Sequence, residues 1–382
     1  MRIGIDARWI RHEASGIGTY TLQLIEHLVR ITQAEHTFVL LFDDGDLRAR
    51  VLRDARLETS GVETLLVPYG PMSPLSQLRL PRVLVRQRID VFHSTNFMIP
   101  LISTKIPCVA TIHDMIPMLF PEANSKKARL SPLYDAIMRR VGKRAARILT
   151  VSEVSRRDVV RCLGLSAEAA RRTRTIHCGV GAEFRPGPAR ARPKDRTRTI
   201  LFVGRSDPHK NLVGLVEGFA QTRARLPFDA KLVIVGPEDG RFPEPATRAT
   251  ELGVAEAVEW RGLLDQDALV EAYRNADVLC LPSRYEGFGL PVVEAMAVGT
   301  PVVCSNGGSL PEVAGDAALQ FAPDDIAALS AALGEVLTNE AGNAPRIAHG
   351  RARAAGFTWT RAAEQTIQVY EDLSGEAAST SS

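Results

Sequence analysis

The 382-residue sequence lacks the features that define several classes of protein. It contains no run of eighteen or more apolar residues, which predicts that no helix crosses a membrane. Its start, Met1–Asp6, carries charge where a secretory signal peptide would be apolar, so we expect no signal peptide and a cytoplasmic protein. The five cysteines are scattered and form no Cys-x-x-Cys pair, which indicates buried reduced thiols and argues against a metal or redox site of that type.

The two halves of the chain carry net charges of opposite sign. Residues 1–185 carry 28 Lys and Arg against 18 Asp and Glu, whereas residues 186–382 carry 19 against 26. A basic first half fits an anionic partner such as a membrane surface, a lipid diphosphate or an acidic polysaccharide. Chance asymmetry of a solvated surface is the alternative.

Length and hydrophobic rhythm predict two α/β domains. The chain is longer than the size at which a single hydrophobic core stops growing. Short apolar runs recur in both halves with helical patterns between them, which favours a parallel, doubly wound sheet in each domain. The predicted strands lie at residues 2–6, 38–42, 62–67, 89–92, 107–112 and 147–151 in the first half, and at 199–203, 231–235, 257–260, 277–281, 300–304 and 318–321 in the second.

A proline-rich, charged stretch marks the domain boundary. Residues 182–194 lack hydrophobic periodicity and predict a linker. We therefore expect a first domain over 1–185 and a second over 186–357. A last helix would follow over 358–373, and the small, polar tail 374–382 is predicted to be disordered. Two such domains would face each other across a cleft and bind ligands at the carboxyl ends of their strands.

The most informative stretch runs from Pro282 to Glu294. It follows an apolar run and precedes an alanine-rich pattern with Pro291 at its start, which predicts a strand, a loop and a helix. The unpaired N–H groups and the dipole at such a helix start favour an anion. Glu286 and Glu294 bracket the loop and suit hydrogen bonds from hydroxyl groups. Phosphate at the amides and a polyol at the carboxylates together indicate a sugar nucleotide.

Two cations follow the first predicted strand of the second half. Gly204 and Arg205 come where that strand ends, and Lys210 precedes a helical pattern. Arg205 and Lys210 could bind one anion from two sides, and fixed cations stabilise a departing diphosphate as its charge develops. Cations are also common on surface loops, which is the alternative.

The first half offers a histidine and two glycines. His113 ends a predicted strand, where either a ligand-binding or a structural histidine could stand. Gly16 and Gly18 begin ten residues after the first strand ends, too late for a dinucleotide-binding turn. They predict either a plain turn or a loop whose backbone approaches a ligand, followed by a helix over 19–31. Residues 68–88 are predicted to form a long irregular loop with a short helix.

Residues 134–148 predict an amphipathic helix with a basic face. The apolar face could pack on the sheet of its own domain, or the helix could lie on an anionic membrane. The basic side chains are Arg139, Arg140, Lys143, Arg144 and Arg147.

Taken together, these motifs resemble the retaining glycosyltransferases of family 4, which have the two-domain GT-B fold. The resemblance covers residues 1–373, and it implies that the last helix returns to the first domain. The core motif shows no departure from the family pattern, whereas the first-domain match is looser. The matching features, in order, are Gly16 and Gly18, His113, Gly204-Arg205 with Lys210, Glu286-x7-Glu294 with Phe288-Gly289-Leu290 inside it, and Phe357-Thr358-Trp359.

The resemblance implies a set of donor-binding residues. Arg205 and Lys210 would hold the donor diphosphate, with help from the amides of residues 288–290. Gly16 and Gly18 would leave room for the phosphates. The full implied set is Gly16, Gly18, Gly204, Arg205, Lys210, Arg261, Leu263, Glu286, Phe288, Gly289, Leu290 and Glu294.

The remaining implied roles concern the sugar, the ribose and the base. Glu294 would accept hydrogen bonds from the ribose and Glu286 from the donor sugar, while His113 would contact the sugar near the reacting carbon. The backbone around Arg261 and Leu263 would meet the base. The implied catalytic residues are His113, Arg205, Lys210 and Glu286.

The resemblance implies a metal-independent, retaining hexosyltransferase without a cofactor. Its acceptor would be a glycan or lipid-linked glycan, and it would work in the cytoplasm or on the inner face of the membrane, without nucleic acid. The segments Ile5–Arg8 and Thr111–Asp114 look most like mannosyltransferases of surface-polysaccharide and lipopolysaccharide assembly, so GDP-mannose is the first predicted donor. A UDP-sugar of glucose or N-acetylglucosamine is the alternative. A sugar-nucleotide epimerase, a non-catalytic sugar-nucleotide sensor and a polyanion-binding protein are rivals from other classes.

Overall fold

The computed structural model describes residues 1–12, 15–32, 35–55, 57, 61–102, 104–120, 131–187, 196–237 and 240–379. The chain divides into two compact units. Unit 1 comprises Met1–Gly179 with Trp359–Ser382, and unit 2 comprises Val180–Thr358. Unit 2 thus begins before residue 186, and Phe184 packs edge-on against Tyr273 within it at 5.7 Å between ring centroids. Residues 188–194 of the predicted linker lie outside the described residues.

Unit 1 contains a seven-stranded sheet in the order β3-β2-β1-β4-β5-β6-β7 over its described residues. Every neighbouring pair is parallel. Helices lie in the connections between consecutive strands, except that from β4 to β5, whose described residues form a loop. The strands are β1 (Arg2–Asp6), β2 (Thr37–Phe42), β3 (Glu63–Leu66), β4 (Val91–Ser94), β5 (Cys108–Ile112), β6 (Arg147–Thr150) and β7 (Thr173–Thr175). The helices are α1 (Gly16–Thr32), α2 (Gly45–Asp54), α3 (Pro74–Arg86), α4 (Ile116–Leu119), α5 (Ser131–Arg144), α6 (Glu153–Leu163) and α7 (Ala167–Arg171).

Unit 2 contains a six-stranded parallel sheet in the order β10-β9-β8-β11-β12-β13 over its described residues. Its strands are β8 (Arg198–Val203), β9 (Ala230–Val235), β10 (Val258–Trp260), β11 (Val278–Leu281), β12 (Val302–Ser305) and β13 (Ala318–Phe321). Its helices are α8 (Leu212–Arg223), α9 (Glu244–Glu251), α10 (Gln266–Asn275), α11 (Leu290–Val298), α12 (Leu310–Ala314), α13 (Ile326–Thr338) and α14 (Glu340–Ala354). The last helix, α15 (Trp359–Ser379), belongs to unit 1.

The predicted fold class is confirmed in both units. All twelve predicted strands are present, and each sheet is parallel and doubly wound. Strand β7 was missed because its residues, Thr173–Thr175, form a short polar run without a hydrophobic signal. In each sheet the strand order reverses beside the first strand, between β1 and β4 and between β8 and β11, and ligands of such folds bind at the carboxyl edge there.

Two predictions in the first third of the chain were wrong about helix bounds. Helix α1 begins at Gly16 rather than residue 19, because the Ser15 hydroxyl accepts a hydrogen bond from the Gly18 amide at 3.1 Å. Residues 68–88 are mostly helix α3 rather than an irregular loop. The Ser73 hydroxyl caps α3 at its start, and the leucines on its inner side are buried.

Helix α5 ends earlier than the predicted range 134–148. It stops at Arg144, and strand β6 begins at Arg147. Its apolar side chains Met138 and Val141 are fully buried in the core of unit 1. The structure therefore confirms that this face packs within its own domain, and the basic side chains of the helix lie on the other side.

Helix α15 extends beyond its predicted end at residue 373. It continues to Ser379, so residues 374–379 of the predicted disordered tail are helical, and 380–382 lie outside the described residues. Leu373 is buried, and an ion pair joins Glu376 to Arg147 at the start of β6. These contacts with unit 1 are tertiary and leave no signal in the local composition.

A buried ion pair organises the carboxyl end of β1. Asp6 and Arg8 are both fully buried, and two Arg8 nitrogens donate to the Asp6 carboxylate at 2.7 and 2.8 Å. Another Arg8 nitrogen donates to the carbonyl oxygen of Tyr69 at 3.0 Å and to the hydroxyl of Ser76 at 3.2 Å. Arg8 therefore ties β1 to the start of α3.

Replacing Arg8 tests this organisation. The variant Arg8→Met would leave Asp6 as an uncompensated buried charge, and we expect it to lower the free energy of unfolding by about 3–5 kcal/mol. Urea unfolding followed by circular dichroism measures the loss. The control is Arg11→Met, whose side chain is 49% exposed in its ion pair with Asp43, and it should cost less than Arg8→Met because the removed cation is solvated. Equal losses of unfolding free energy in Arg8→Met and Arg11→Met would contradict the stabilising role of the buried Asp6–Arg8 pair.

Candidate functional site

A buried carboxylate forms the centre of the candidate site in unit 2. Glu286 follows β11 and is only 7% exposed. The Lys210 ammonium lies 2.7 and 2.8 Å from its two carboxylate oxygens, and the Ser283 hydroxyl donates to one of them at 2.7 Å. Burying a carboxylate is costly unless it is paired and hydrogen-bonded, and both conditions are met here.

The sheet order brings Lys210 to Glu286. Strands β8 and β11 are neighbours, so the loops after them meet at the carboxyl edge. Asn211 fixes the β8 loop because its side chain donates to the carbonyl oxygens of Pro282 and Pro323 at 3.3 and 2.7 Å. Its backbone has a φ of +58°, a conformation that asparagine tolerates better than most residues. Sequence reasoning missed Asn211 and Ser283, because single polar residues in loops give no periodic signal.

A glycine-rich turn after β12 supports the Glu286 loop from behind. Gly308 has a φ of +58°, and a Cβ atom there would lie 2.5 Å from the carbonyl oxygen of Glu286. Only glycine permits both this conformation and this approach. The Ser309 hydroxyl donates to the carbonyl oxygens of Glu286 and Phe288 at 3.0 and 2.8 Å. The available signal was the pair Gly307-Gly308, two residues after the predicted strand 300–304, and sequence reasoning missed it.

The start of α11 provides amide groups beside this loop. Gly289 has a φ of +100° and precedes Leu290 and Pro291, so the predicted loop-to-helix turn with proline in the first turn is confirmed. No described side chain caps this helix start. The neighbouring Phe288 is buried against Phe357 at 5.5 Å between ring centroids. The helix start therefore offers N–H groups and the positive end of a dipole to an anion.

Glu294 lies one turn inside α11 and has a different environment from Glu286. Its carboxylate accepts a hydrogen bond of 2.6 Å from the Tyr273 hydroxyl on α10. Burial raises the pKa of Glu294 to about 7, and the hydrogen bond from Tyr273 partly opposes that rise. Burial and the nearby carboxyl group raise the pKa of Tyr273 well above its ordinary value, so Tyr273 stays a donor. Tyr273 was missed because the contact joins two helices.

The other predicted residues of unit 2 lie at the same carboxyl edge. Arg205 is half exposed, shares the β8 loop with Lys210, and forms an ion pair of 3.1 Å with Asp207. Gly204 directly follows β8, and its amide donates to the carbonyl oxygen of Val235 at the end of β9. Beyond β10 lie two more predicted residues: Arg261, which donates to Glu259 at 2.6 Å, and Leu263, which is 50% exposed. The structure thus joins Lys210 directly to Glu286 and Tyr273 to Glu294. Arg261 and Leu263 follow β10, which lies two strands away from β8 in the sheet.

His113 lies at the corresponding edge of the sheet in unit 1. Its Nε2 atom is 2.9 Å from the carbonyl oxygen of Thr95. Because a carbonyl oxygen can only accept, Nε2 carries the ring proton and Nδ1 keeps a free lone pair. Burial lowers the pKa of His113 to about 4, so the ring is neutral near pH 7. His113 is therefore set up as a hydrogen-bond acceptor at Nδ1.

An aromatic and hydroxyl network holds His113 from behind. The Tyr20 ring on α1 packs edge-on against the His113 ring, with 4.7 Å between ring centroids. The same Tyr20 ring also packs against Trp359 at the start of α15. The Tyr20 hydroxyl is 3.4 Å from that of Thr111, which is 2.8 Å from Nε2 of His93. His93 is fully buried, which accords with a structural role. The last helix joins the network through the Tyr370 hydroxyl, 2.6 Å from Nδ1 of His93.

The two predicted glycines of unit 1 lie in the first turn of α1. A Cβ atom on Gly16 would meet no atom within 4 Å, whereas one on Gly18 would lie 3.1 Å from the Ser15 hydroxyl. The backbone at Gly16 is therefore accessible to a ligand. The prediction that these glycines leave room for phosphates stays a prediction.

Several other features of the described residues bear on the chemistry. Among them, no group of three or more His, Cys, Asp or Glu is placed to hold a metal ion. No described helix is long and apolar enough to cross a membrane. A cavity of about 930 Å³ in unit 2 lies at the opposite, amino edge of the sheet, where arginines already pair with Asp277 and Glu340. The carboxyl edge is the better candidate because it holds the converging polar groups.

Two family models match adjoining parts of the chain. A model described as Glycosyltransferase Family 4 matches residues 14–184. A second, described as Glycosyl transferases group 1, matches residues 188–353 and so contains Lys210, Glu286 and Glu294.

Two curated relatives and a solved structure each match more than four fifths of the chain. The chain is 29% identical to O-antigen chain mannosyltransferase B of Escherichia coli, covering 98% of this chain and 100% of that protein. It is 32% identical to MMP alpha-(1->4)-mannosyltransferase of Mycolicibacterium hassiacum, covering 84% and 81%. Sucrose-phosphate synthase from Thermosynechococcus elongatus has a similar structure, with a TM-score of 0.79 and 22% identity over 97% of this chain and 98% of that one.

The ionisation of Glu294 can be measured directly. We expect one carboxyl group to titrate near pH 7, protonated below and ionised above, and this titration should vanish in Glu294→Gln. Difference infrared spectroscopy of the carboxyl stretching band resolves it. In Tyr273→Phe the titration should move to higher pH, because the carboxylate loses its hydrogen-bond donor. A wild-type spectrum in which every carboxyl group titrates below pH 6 would refute this environment.

Proposed function

The chain belongs to the family 4 glycosyltransferases of the GT-B fold, and from this we propose that it moves mannose from GDP-mannose to a glycan or lipid-linked glycan. The reaction would retain the anomeric configuration, need no metal ion, and serve polysaccharide biosynthesis. The observation that supports the chemistry is the convergence of Lys210, Glu286 and an uncapped helix start at one sheet edge.

The choice of mannose rests on the relatives. Both relatives described above are mannosyltransferases, and the chain matches one of them along its entire length. The segments Ile5–Arg8 and Thr111–Asp114 favour the same group of enzymes. A UDP-sugar is the rival donor, and comparing the binding of GDP and UDP distinguishes GDP-mannose from a UDP-sugar.

Charge development on the leaving diphosphate determines what the site must supply. The bond between the donor sugar and the phosphate breaks, and negative charge grows on the phosphate oxygens. Lys210, Arg205 and the amides at the start of α11 are preorganised positive groups of the kind that stabilise such charge. These groups can replace a metal ion in this role, which is why we propose a metal-independent reaction.

The carboxylates and the histidine would position the donor. Glu286 would accept hydrogen bonds from hydroxyl groups of the sugar, and Glu294 would accept them from the ribose. His113 would accept one through Nδ1, near the reacting carbon. The proton of the acceptor hydroxyl would pass to the donor phosphate.

The ionised carboxylate of Glu294 accepts hydrogen bonds better than its protonated form. Nucleotide binding should therefore strengthen as the pH rises through about 7.

A nucleotide panel tests the donor. We expect GDP to raise the melting temperature of the full chain more than UDP or ADP, because a ligand that binds only the folded state stabilises it. GDP-mannose with an oligosaccharide acceptor should then give a product whose anomeric configuration, read by proton NMR, matches that of the donor. Preference for UDP would overturn the donor assignment alone. Isomerisation of the donor without an acceptor would indicate an epimerase, and tight binding without turnover would indicate a sensor.

Two substitutions test the site. Lys210→Ala removes the cation proposed for the diphosphate, and Glu294→Ala removes the proposed ribose acceptor, so we expect each to lower kcat/KM by at least about a hundredfold. Initial rates of transfer measure this, and circular dichroism checks the fold. The matched control is Lys231→Ala, which removes a part-exposed lysine paired with Glu259 in the same unit and should keep full activity. Full transfer activity in Lys210→Ala or Glu294→Ala would contradict the role proposed for that residue in binding the donor.

A further inference from the structure

Helix α15 is the last element of the chain, yet its inner side packs against central elements of unit 1. It contacts α1 and β4, which are the helix before His113's aromatic neighbours and the strand beside β1. Its buried side chains recur every three or four residues, as expected for a helix with one side against a core. They are Trp359, Ala362, Ala363, Thr366, Val369, Tyr370 and Leu373. Helix α15 therefore reaches the elements that surround the candidate site of unit 1.

A chain of hydrogen bonds leads from α15 to α1. The Tyr370 hydroxyl is 2.6 Å from Nδ1 of His93 on β4, and Nε2 of His93 is 2.8 Å from the Thr111 hydroxyl on β5. The Thr111 hydroxyl is 3.4 Å from the Tyr20 hydroxyl on α1. None of these four residues is more than 2% exposed, so solvent water does not replace a lost partner. We call these four residues the Tyr370–Tyr20 chain.

His93 gives the Tyr370–Tyr20 chain a direction. Burial lowers the pKa of His93 to about 3, so its ring is neutral. A neutral imidazole donates at one nitrogen and accepts at the other, so the hydrogen bonds on its two sides run the same way. Burial also raises the pKa of Tyr20 and of Tyr370, so both hydroxyls keep their protons. Loss of the Tyr370 hydroxyl would leave Nδ1 of His93 without this partner and change the bond that His93 makes with Thr111.

The chain ends at the Tyr20 ring, and that ring faces His113. The two rings meet edge-on, with an interplanar angle of 89° and 4.7 Å between centroids. Trp359 packs against the same Tyr20 ring from α15, with 5.7 Å between centroids. Aromatic pairs prefer particular relative orientations, so each ring restrains the next. Two residues of α15 thus act on Tyr20, Trp359 at its ring and Tyr370 through its hydroxyl.

Other groups hold the rest of His113. The Ser155 hydroxyl on α6 donates to the carbonyl oxygen of His113 at 2.8 Å. Nε2 of His113 donates to the carbonyl oxygen of Thr95 at 2.9 Å, and the Thr21 hydroxyl on α1 donates to that of Thr95 at 2.8 Å. One hydrogen bond at Nε2 still permits the imidazole to tilt about that bond. The edge contact with Tyr20 is therefore what determines where Nδ1 points.

We propose that Tyr370 and Trp359 are positioning residues, which set the direction of Nδ1 of His113 through the ring of Tyr20. The last helix of the chain then helps to aim this hydrogen-bond acceptor at the donor sugar. The proposal rests on the proposed function, which places Nδ1 near the reacting carbon. Neither residue of α15 touches the substrate in this role.

A contribution to stability alone is the competing explanation. Stability alone predicts that removing the Tyr370 hydroxyl lowers the melting temperature and leaves the His113 ring where it is. A fully satisfied buried network instead fixes one arrangement of its members. Positioning therefore predicts that the same change moves the His113 ring.

Nuclear magnetic resonance of the full chain with labelled histidine tests the position of the ring. Tyr370→Phe removes one oxygen atom and keeps an aromatic ring in the core. We expect the ring signals of His113 to shift in this variant, because shielding by the Tyr20 ring depends on the orientation of the two rings. The His113 signals are identified by their absence from the spectrum of His113→Gln.

The matched control is Leu373→Ala. Leu373 lies about one turn beyond Tyr370 on α15 and is 4% exposed, so its truncation removes core contacts of the same helix without changing the Tyr370–Tyr20 chain. The melting temperature should fall, and the His113 signals should stay in place. Unchanged His113 signals in Tyr370→Phe, or equal shifts in Tyr370→Phe and Leu373→Ala, would overturn the proposal.

Initial rates of mannose transfer test the consequence for catalysis. In Tyr370→Phe we expect kcat to fall about tenfold with little change in KM for the donor, because a misdirected group acts at the reacting centre. Leu373→Ala should keep the wild-type kcat. Thr111→Val interrupts the chain with a side chain of the same shape and should lower kcat as Tyr370→Phe does, whereas Thr111→Ser keeps the hydroxyl and should retain most of it. Equal losses of kcat in Thr111→Val and Thr111→Ser would contradict the positioning role.

These readouts separate the proposal from the proposed function. The resonance spectra are recorded without donor or acceptor, so they do not depend on activity. Absence of transfer by wild-type protein would refute the function, whereas an unmoved His113 ring in Tyr370→Phe would refute the positioning.

Discussion

The site in unit 2 depends on the ion pair between Lys210 and Glu286. A carboxylate that is only 7% exposed would be destabilising alone, and the ammonium and the Ser283 hydroxyl offset that cost. The loops after β8, β11 and β12 converge to make this possible, because parallel neighbours end at the same edge. Asn211 and Ser309 then lock the loops together through hydrogen bonds to backbone carbonyl oxygens.

This pair also constrains how a phosphate could bind. In the structure Lys210 is engaged with Glu286 at both carboxylate oxygens. A diphosphate that binds Lys210 must share the ammonium or displace one of those contacts. Hydroxyl groups of the sugar can replace the lost donors on Glu286, so phosphate and sugar would bind together better than either alone. The pair would thus favour a complete nucleotide sugar over a free phosphate.

Sequence reasoning succeeded where the signal is local and periodic. The apolar runs located twelve strands, and the pattern of proline and glutamates around residues 282–294 located a strand, loop and helix. It failed where the determinant is a tertiary contact. Tyr273 meets Glu294 across two helices, and α15 stays helical past residue 373 through contacts with unit 1. Helix α3 was missed because Pro81 inside it resembles a loop signal, yet its capping and buried leucines stabilise it.

The same reasoning explains why two glutamates eight positions apart are not a matched pair. Glu286 is held by a cation and a hydroxyl on the loop side, whereas Glu294 has the Tyr273 hydroxyl and a pKa raised to about 7. Two carboxyl groups that act as acid and base on one bond would have to face that bond together. Here Glu286 lies in the loop after β11 and pairs with Lys210, whereas Glu294 lies in α11 and pairs with Tyr273. Such separate environments suit two positions for recognising different parts of one ligand.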